Sequence, residues 1–289
     1  MTKAPRLTLI AGPTASGKSR LALDRARQTG AVIINADSQQ LYADLRVLTA
    51  RPSPEDEAAA DHRLYGVADA NEAWSVGQWT RSVLALLDEL GDRPALLVGG
   101  TGLYFSALTQ GLADIPPVPL AVRDQVQARF DDLGEAGFRH RLAEQDPASA
   151  AAITPGDRQR LVRAAAVAQA TGRSLTEWKA DTRPLLAPGS YERLVIEPER
   201  ARLYANCDAR VLQMMQRGAL EEVRALVARD LDPGLPAMKA VGVPELISHL
   251  HGERTLAEAV AALQQATRNY AKRQLTWFRN QCRDWVRAH

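Results

Sequence analysis

Residues 7–19 read LTLIAGPTASGKS, a short apolar run that passes through a glycine-rich turn into a lysine and a serine. The run Leu7–Ala11 has the pattern of a strand buried on both faces, and Leu21–Ala26 continues as helix-forming sequence. Between them, Gly12-Pro13-Thr14-Ala15-Ser16-Gly17-Lys18-Ser19 matches G-x-x-x-x-G-K-[ST] in the strand-to-helix context that the pattern requires. Glycines let such a turn curl so that successive backbone N–H groups point inward at an anion, and the helix N-terminus adds partial positive charge. Lys18 supplies a mobile cation, and the Ser19 hydroxyl is placed to bind Mg²⁺. These residues predict a site for a di- or triphosphate.

Working outward, Ala31–Ala36 (AVIINA) and Ala95–Val98 (ALLV) repeat the short apolar run. Ser75 caps a helix to Leu90 with Val76, Trp79, Val83, Leu86, Leu87 and Leu90 on one stripe. Strand and helix in alternation predict an α/β fold, a P-loop NTPase-like core with a parallel sheet flanked by helices. Asp114-Ile-Pro-Pro-Val-Pro119 marks a stiff boundary, and only helical patterns follow it to about Gly189. Tyr191–Ile196 (YERLVI) then alternates like a strand, so the chain returns to the sheet. The expected organisation is a core of residues 1–113 and 190–289 with a helical C-terminal part, interrupted by an all-helical insertion at 114–189. From Glu199 onward everything reads as helix, ending in a long segment from Thr255 to about Val286.

The chain has 289 residues, of which 46% are hydrophobic and 24% charged, which excludes disorder, and its glycines and prolines show no collagen-like period. Cys207 and Cys282 are the only thiols; they exclude a disulfide framework and suit a reducing cytoplasm. No apolar run nears the roughly 18 residues of a membrane span, so no membrane anchor is expected, nor a secretion signal ahead of the phosphate motif. The five histidines, His62 and His140 among them, show no ligand spacing.

A net charge of +2 argues against a nucleic-acid partner until it is divided along the chain. Residues 261–289 carry six basic side chains and one acidic, +5, against −3 for everything before them. On a helical wheel Arg268, Lys272, Arg273, Arg279, Arg283 and Arg287 fall within about 140°, while Tyr270, Ala271, Leu275, Trp277, Phe278, Cys282 and Trp285 fill the opposite arc. Such a face predicts contact with phosphates of a polynucleotide.

A phosphate loop alone does not choose a reaction. Its usual companion is an apolar strand ending in an acid, yet Ala95–Val98 ends in Gly99-Gly100-Thr101-Gly102. Asp37, after Ala31–Ala36, is the one carboxylate that can be placed beside the phosphates, as metal ligand, base or both; capping a helix from Ser38 is its structural alternative. Thr101 can aim its N–H and hydroxyl at the same pocket.

Six ordered motifs, GPTASGKS (12–19), NADSQQLY (35–42), GGTGLY (99–104), QRLVRA (159–164), GALEEVRAL (218–226) and ATRNYAKRQLTWFR (266–279), together resemble the tRNA dimethylallyltransferases. The resemblance implies that the loop holds dimethylallyl diphosphate and that the prenyl group goes to N6 of the adenosine immediately 3′ of the anticodon. It implies that Asp37 is the general base, that Thr101 lies near the attacking amine and leaving diphosphate, and that Arg224 reaches the diphosphate. It places Asp37, Ser38, Gln39, Gln40 and the segment Gln159, Arg160, Leu161, Val162, Arg163 against tRNA, and the basic face adds Arg268, Lys272 and Arg273. Mg²⁺ is the implied cofactor, and a cytoplasmic monomer the expected form. Two stretches depart from the family pattern: Leu45–Pro52 (LRVLTARP), which usually contains a glycine and ends Thr-Ala-Lys-Pro, and Val243, where an aromatic residue often stands.

The chemistry accounts for the missing acid. An allylic diphosphate is cleaved at carbon, so the site must stabilise a leaving group and has no water to aim at phosphorus. Adenine's exocyclic amine is a poor nucleophile, and a carboxylate in hydrogen-bond reach can orient it and take its proton. Three rival readings are a prenyltransferase acting on free AMP, a P-loop small-molecule or nucleotide kinase, and an NTP-switched RNA-binding module without catalysis.

Overall fold

The computed structural model describes residues 6–288 and divides them into two compact units. One runs to Thr109 and resumes at Leu186; the other is Gln110–Leu185. The division falls four residues earlier than the sequence suggests at each end. Leu186 is buried in the main core and donates its N–H to the Leu108 carbonyl at 3.0 Å, so the chain has rejoined the core before the strand begins.

In chain order the first unit starts with β1 (Leu7–Ala11), α1 (Lys18–Thr29), β2 (Val32–Asn35), α2 (Pro54–Ala59), β3 (His62–Arg63), α3 (Val76–Leu90), β4 (Ala95–Gly99) and α4 (Gly102–Thr109). The helical unit holds α5 (Leu120–Gln145), α6 (Pro147–Ala152), α7 (Arg158–Thr171) and α8 (Leu175–Ala180). The first unit resumes with β5 (Tyr191–Ile196), α9 (Arg200–Gln216), α10 (Ala219–Val227), α11 (Val243–Leu250), α12 (Leu256–Gln281) and β6 (Val286–Ala288).

The six strands form one parallel sheet in the order β3-β2-β4-β1-β5-β6, with β1 inside it between β4 and β5. Its two faces are both apolar, which explains strands without polar alternation. Leu9, Ala11, Ile34 and Leu97 enter the larger core with Trp79, Phe105 and Phe278, while Ile10, Ile33, Leu96 and Val98 meet Ala22 and Ala26 of α1 on the other side. Ser75 caps α3 as expected, its hydroxyl accepting the Gln78 N–H at 3.1 Å.

The C-terminal reading needs correction. Helix α12 ends at Gln281, and the chain turns so that Val286–Ala288 pairs with β5. Two apolar side chains drive the turn: Cys282 and Trp285 are buried in the main core, where the Trp285 ring stands edge-on to Phe105 with centroids 5.5 Å apart. Arg283 and Arg287 therefore leave the helix, and the basic face is shorter than the wheel suggests. Acids compensate part of it: Arg279 and Arg287 both pair with Glu197, and Arg268 pairs with Asp208. Lys272 and Arg273 remain exposed on α12.

In the helical unit, Gly134 at φ +63° kinks α5, and Val126, Phe138, Leu142, Leu161 and Ala164 form the core. Asp157 caps α7 by accepting the Arg160 N–H at 3.1 Å. Leu161 is wholly buried and Val162 packs against that core, which removes their side chains from the residues expected to touch tRNA. Gln159, Arg160 and Arg163 face outward, Arg160 in an ion pair with Asp157.

Candidate active site

Gly12–Gly17 joins β1 to α1, whose first residues are Lys18 and Ser19, with Gly17 at φ +90° and Ala15 also left-handed at +61°. Lys18 is buried, and its Nζ donates to the Pro13 carbonyl at 3.1 Å. Burial pulls its pKa down to about 8, opposed by the charge of Asp37. The Ser16 hydroxyl is buried without a partner, an orphan that a phosphate oxygen would satisfy. Ser19 opens onto a cavity lined also by Gln40, Arg51, Asp56, His62 and Tyr65.

Asp37 emerges from the end of β2 and is buried. The Asn35 side chain braces it, accepting the Asp37 N–H at 2.8 Å and donating to the Asp37 carbonyl at 3.0 Å. The carboxylate oxygen Oδ1 accepts the Gln39 N–H at 3.0 Å, so Asp37 shapes the following turn as well as facing the pocket. Thr101, from the loop after β4, donates its N–H to the Ala36 carbonyl at 3.1 Å, and its hydroxyl accepts the Ser38 N–H at 2.9 Å. Gly99 is glycine because a methyl group there would overlap the Ala36 carbonyl. The ends of β2 and β4 are thus locked together, with Thr101 bonded to the residues on either side of Asp37.

Two expected contacts change. The Gln40 side chain turns inward and donates to the Thr49 and Ala50 carbonyls at 2.9 and 2.8 Å, holding the departing loop in place of reaching for tRNA. Arg224 lies on α10 with its side chain 58% exposed, 3.7 Å from Glu221, and lines none of the cavities that touch the phosphate loop among the described residues. The arginine that touches the phosphate loop is Arg210 of α9, whose Nη1 donates to the Thr14 hydroxyl at 3.1 Å and whose pKa burial lowers. A sequence signal existed: Arg210 directly precedes Val211 in the buried stripe Leu203, Cys207, Val211 and Met214, so a cationic side chain borders an apolar helix face.

The GALEEVRAL motif acts through Glu222. Its carboxylate accepts the N–H groups of Arg46, Val47 and Leu48 at 2.6 to 2.8 Å, which fixes the atypical stretch Leu45–Pro52 against the site. Val243, the other departure, is fully buried in the main core.

Reading from sequence also passes over Tyr270 and Gln274 of α12. The Tyr270 hydroxyl lies toward the side chains of Gln39 and Thr101; burial first, and then Asp37's charge, raise its pKa, so the phenol stays protonated at neutral pH. One small cavity is lined by Thr14, Asp37, Arg210 and Tyr270 together with the apolar side chains of Leu48, Met214, Val241 and Leu263. It combines a phosphate end, a carboxylate and a wall suited to a short hydrocarbon group.

Fold and site define a P-loop-type α/β protein whose glycine-rich loop adjoins a buried carboxylate. Comparison with known proteins narrows the class. The IPP transferase family model matches residues 40–281, and the isopentenyl transferase model matches 5–71. The chain is 57% identical over 285 residues to a tRNA dimethylallyltransferase from a Caulobacter species, covering 98% of this chain and 92% of the relative. The same enzyme from Phenylobacterium zucineum is similar to the same extent. Among solved structures, the tRNA isopentenylpyrophosphate transferase of Bacillus halodurans superposes with a TM-score of 0.70 at 30% identity, over 98% of this chain and 89% of that one. A eukaryotic dimethylallyltransferase acting on tRNA shares the fold with a TM-score of 0.79 at 23% identity, over 94% of this chain and 69% of that one. The chain belongs to the IPP transferase family and is a prenyltransferase.

Proposed function

We propose that this chain transfers the dimethylallyl group of dimethylallyl diphosphate to N6 of the adenosine immediately 3′ of the anticodon in tRNA, releasing diphosphate. The observation that carries this reading is the cavity that places Asp37 and Tyr270 beside Thr14 and Arg210, with Leu48, Met214, Val241 and Leu263 as its wall. The loop N–H groups, Lys18 and Arg210 take the charge that develops on the diphosphate as the carbon–oxygen bond breaks. Asp37 orients the adenine amine and takes its proton, and Thr101 holds the Ser38 N–H beside that carboxylate. The adenosine must leave its loop to enter, at a cost of about a few kcal/mol that a single-stranded loop keeps low.

Ser19 fits Mg²⁺ as a hard oxygen donor at the helix start. Among the described residues no group of three or more His, Cys, Asp or Glu side chains could hold an ion alone, so the ion would share its oxygens between Ser19 and the phosphates. When bound, it would offset the negative charge that develops on the departing diphosphate. Gln159, Arg160, Arg163, Lys272 and Arg273 are the exposed polar side chains offered to tRNA, with Ser38 and Gln39 at the pocket. The site is furnished from one chain, which suits a monomer. Among the described residues no helix is long and apolar enough to cross a membrane, and Cys207 and Cys282 are buried and unpaired, which suits a reducing cytoplasm.

The test offers unmodified tRNA and free AMP together to the enzyme with labelled dimethylallyl diphosphate. Label in tRNA supports the reading; label in AMP, or consumption of ATP in its place, overturns it.

A further inference from the structure

Gln274 sits in the last third of α12 with its carboxamide buried between two loops. Its Oε1 accepts the Thr14 N–H at 2.8 Å, and its Nε2 donates to the Gly100 carbonyl at 2.9 Å. An N–H can only donate and a carbonyl can only accept, so this pair of bonds fixes which way the amide faces. Gly100 has ordinary backbone dihedrals; it is glycine for space, because a methyl group there would overlap the Gln274 amide.

Each bond has a consequence. Thr14 engages Gln274 through its N–H and Arg210 through its hydroxyl, and the adjoining Pro13 carbonyl takes Lys18, so the protein's own groups hold this end of the phosphate loop. Gly100 directly precedes Thr101, the residue that binds Ser38 beside Asp37. One carboxamide therefore joins the loop that grips the leaving group to the loop that orders the acceptor side. Displacement at carbon needs nucleophile, carbon and departing oxygen in line, and a misplacement of about 1 Å costs on the order of a hundredfold in rate.

We propose that Gln274 is a positioning residue that sets the separation of these two loops and so decides whether the allylic carbon is taken by the adenine amine or by water. The inference rests on the assignment of the phosphate loop to the donor and of Asp37 to the acceptor. In both outcomes the carbon–oxygen bond breaks and diphosphate leaves with the electron pair. In transfer, N6 bonds to the carbon and gives its proton to Asp37. In leakage, a water oxygen bonds to the carbon and sheds a proton, giving dimethylallyl alcohol.

Gln274→Met keeps length and volume while removing both hydrogen bonds. With labelled donor and unmodified tRNA, the variant should form modified tRNA at least roughly tenfold more slowly, with a several-fold larger share of label in the alcohol and tRNA affinity unchanged. Wild-type turnover without alcohol overturns the proposal. So does slow transfer with no rise in alcohol and lowered thermal stability, which is the signature of a purely structural residue. Wild-type protein gives an independent reading through amide hydrogen exchange. The Thr14 N–H should be protected in the free enzyme and unaffected by inorganic diphosphate, whereas Gly17 and Lys18 gain protection from it. A Thr14 amide protected only after diphosphate is added overturns the brace. Asp37→Asn separates the two layers of inference: if that variant keeps full turnover the site assignment fails, and if it loses turnover while Gln274→Met behaves as wild type, only the brace fails.

Discussion

The phosphate loop and helix α12 both present positive charge, yet they carry it in opposite ways. At the loop the cations are withdrawn from solvent: Lys18 is buried with its pKa drawn down to about 8, and the half-buried Arg210 of α9 is fixed to Thr14. On α12 they are exposed: Lys272 and Arg273 stand in solvent, while Arg268 and Arg279 are drawn into ion pairs. Buried charge is costly to desolvate and recovers that cost only when an anion fits the cavity, so it selects one small ligand. Exposed charge is cheap, screened by salt and indifferent to sequence, which suits a polyanion.

The sharpest way to break this comparison is to remove charge from the buried end. Asp37→Asn should lower turnover by about 10²–10⁴-fold while donor and tRNA affinities largely survive, as single-turnover rates and separate binding titrations would read. Arg210→Ala should cost about 10²–10³ in turnover. Arg224→Ala should stay within about twofold of wild type, because its partner is one exposed carboxylate. Equal losses at Arg210 and Arg224 would return the diphosphate role to α10.

At the exposed end, replacing Lys272 and Arg273 together by glutamine should weaken tRNA binding roughly tenfold at low salt and flatten the slope of log affinity against log salt by about two. The Michaelis constant for the donor should not change. A gentler effect comes from pH. Free Lys18 loses its proton as pH rises through about 8, whereas a bound diphosphate keeps the ammonium charged. Donor binding above that pH therefore takes up a proton, and affinity falls as pH climbs. Calorimetry in buffers of different ionisation enthalpy would register the uptake, and tRNA affinity over the same range should change less.

Legibility in the sequence followed the distance between partners. The phosphate loop is eight consecutive residues whose chemistry is local, and β1 and β5 fall at the predicted residues. Asp37 and Thr101 were recognisable because each ends an apolar strand, and parallel strands bring such ends together. Arg210 and Gln274 escaped because their partner, Thr14, is 196 and 260 residues away, and a helix pattern says which face is buried without saying what that face meets. Arg224 illustrates the opposite error, since membership in a matching motif says nothing of where its guanidinium points; the motif's structural work falls to Glu222. Strand β6 was missed because Cys282 and Trp285 fit a helical apolar stripe as well as they fit the turn that carries the chain back to the sheet.

The account turns on the phosphate loop serving a leaving group at carbon in place of an electrophile at phosphorus. Running the reaction on unmodified tRNA in water enriched with heavy oxygen, and analysing both products by mass spectrometry, tests this directly. The prediction is prenylated tRNA together with diphosphate that contains none of the solvent oxygen, because the bridging oxygen departs with the diphosphate. Heavy oxygen in the released phosphates, with the tRNA unmodified, would contradict it.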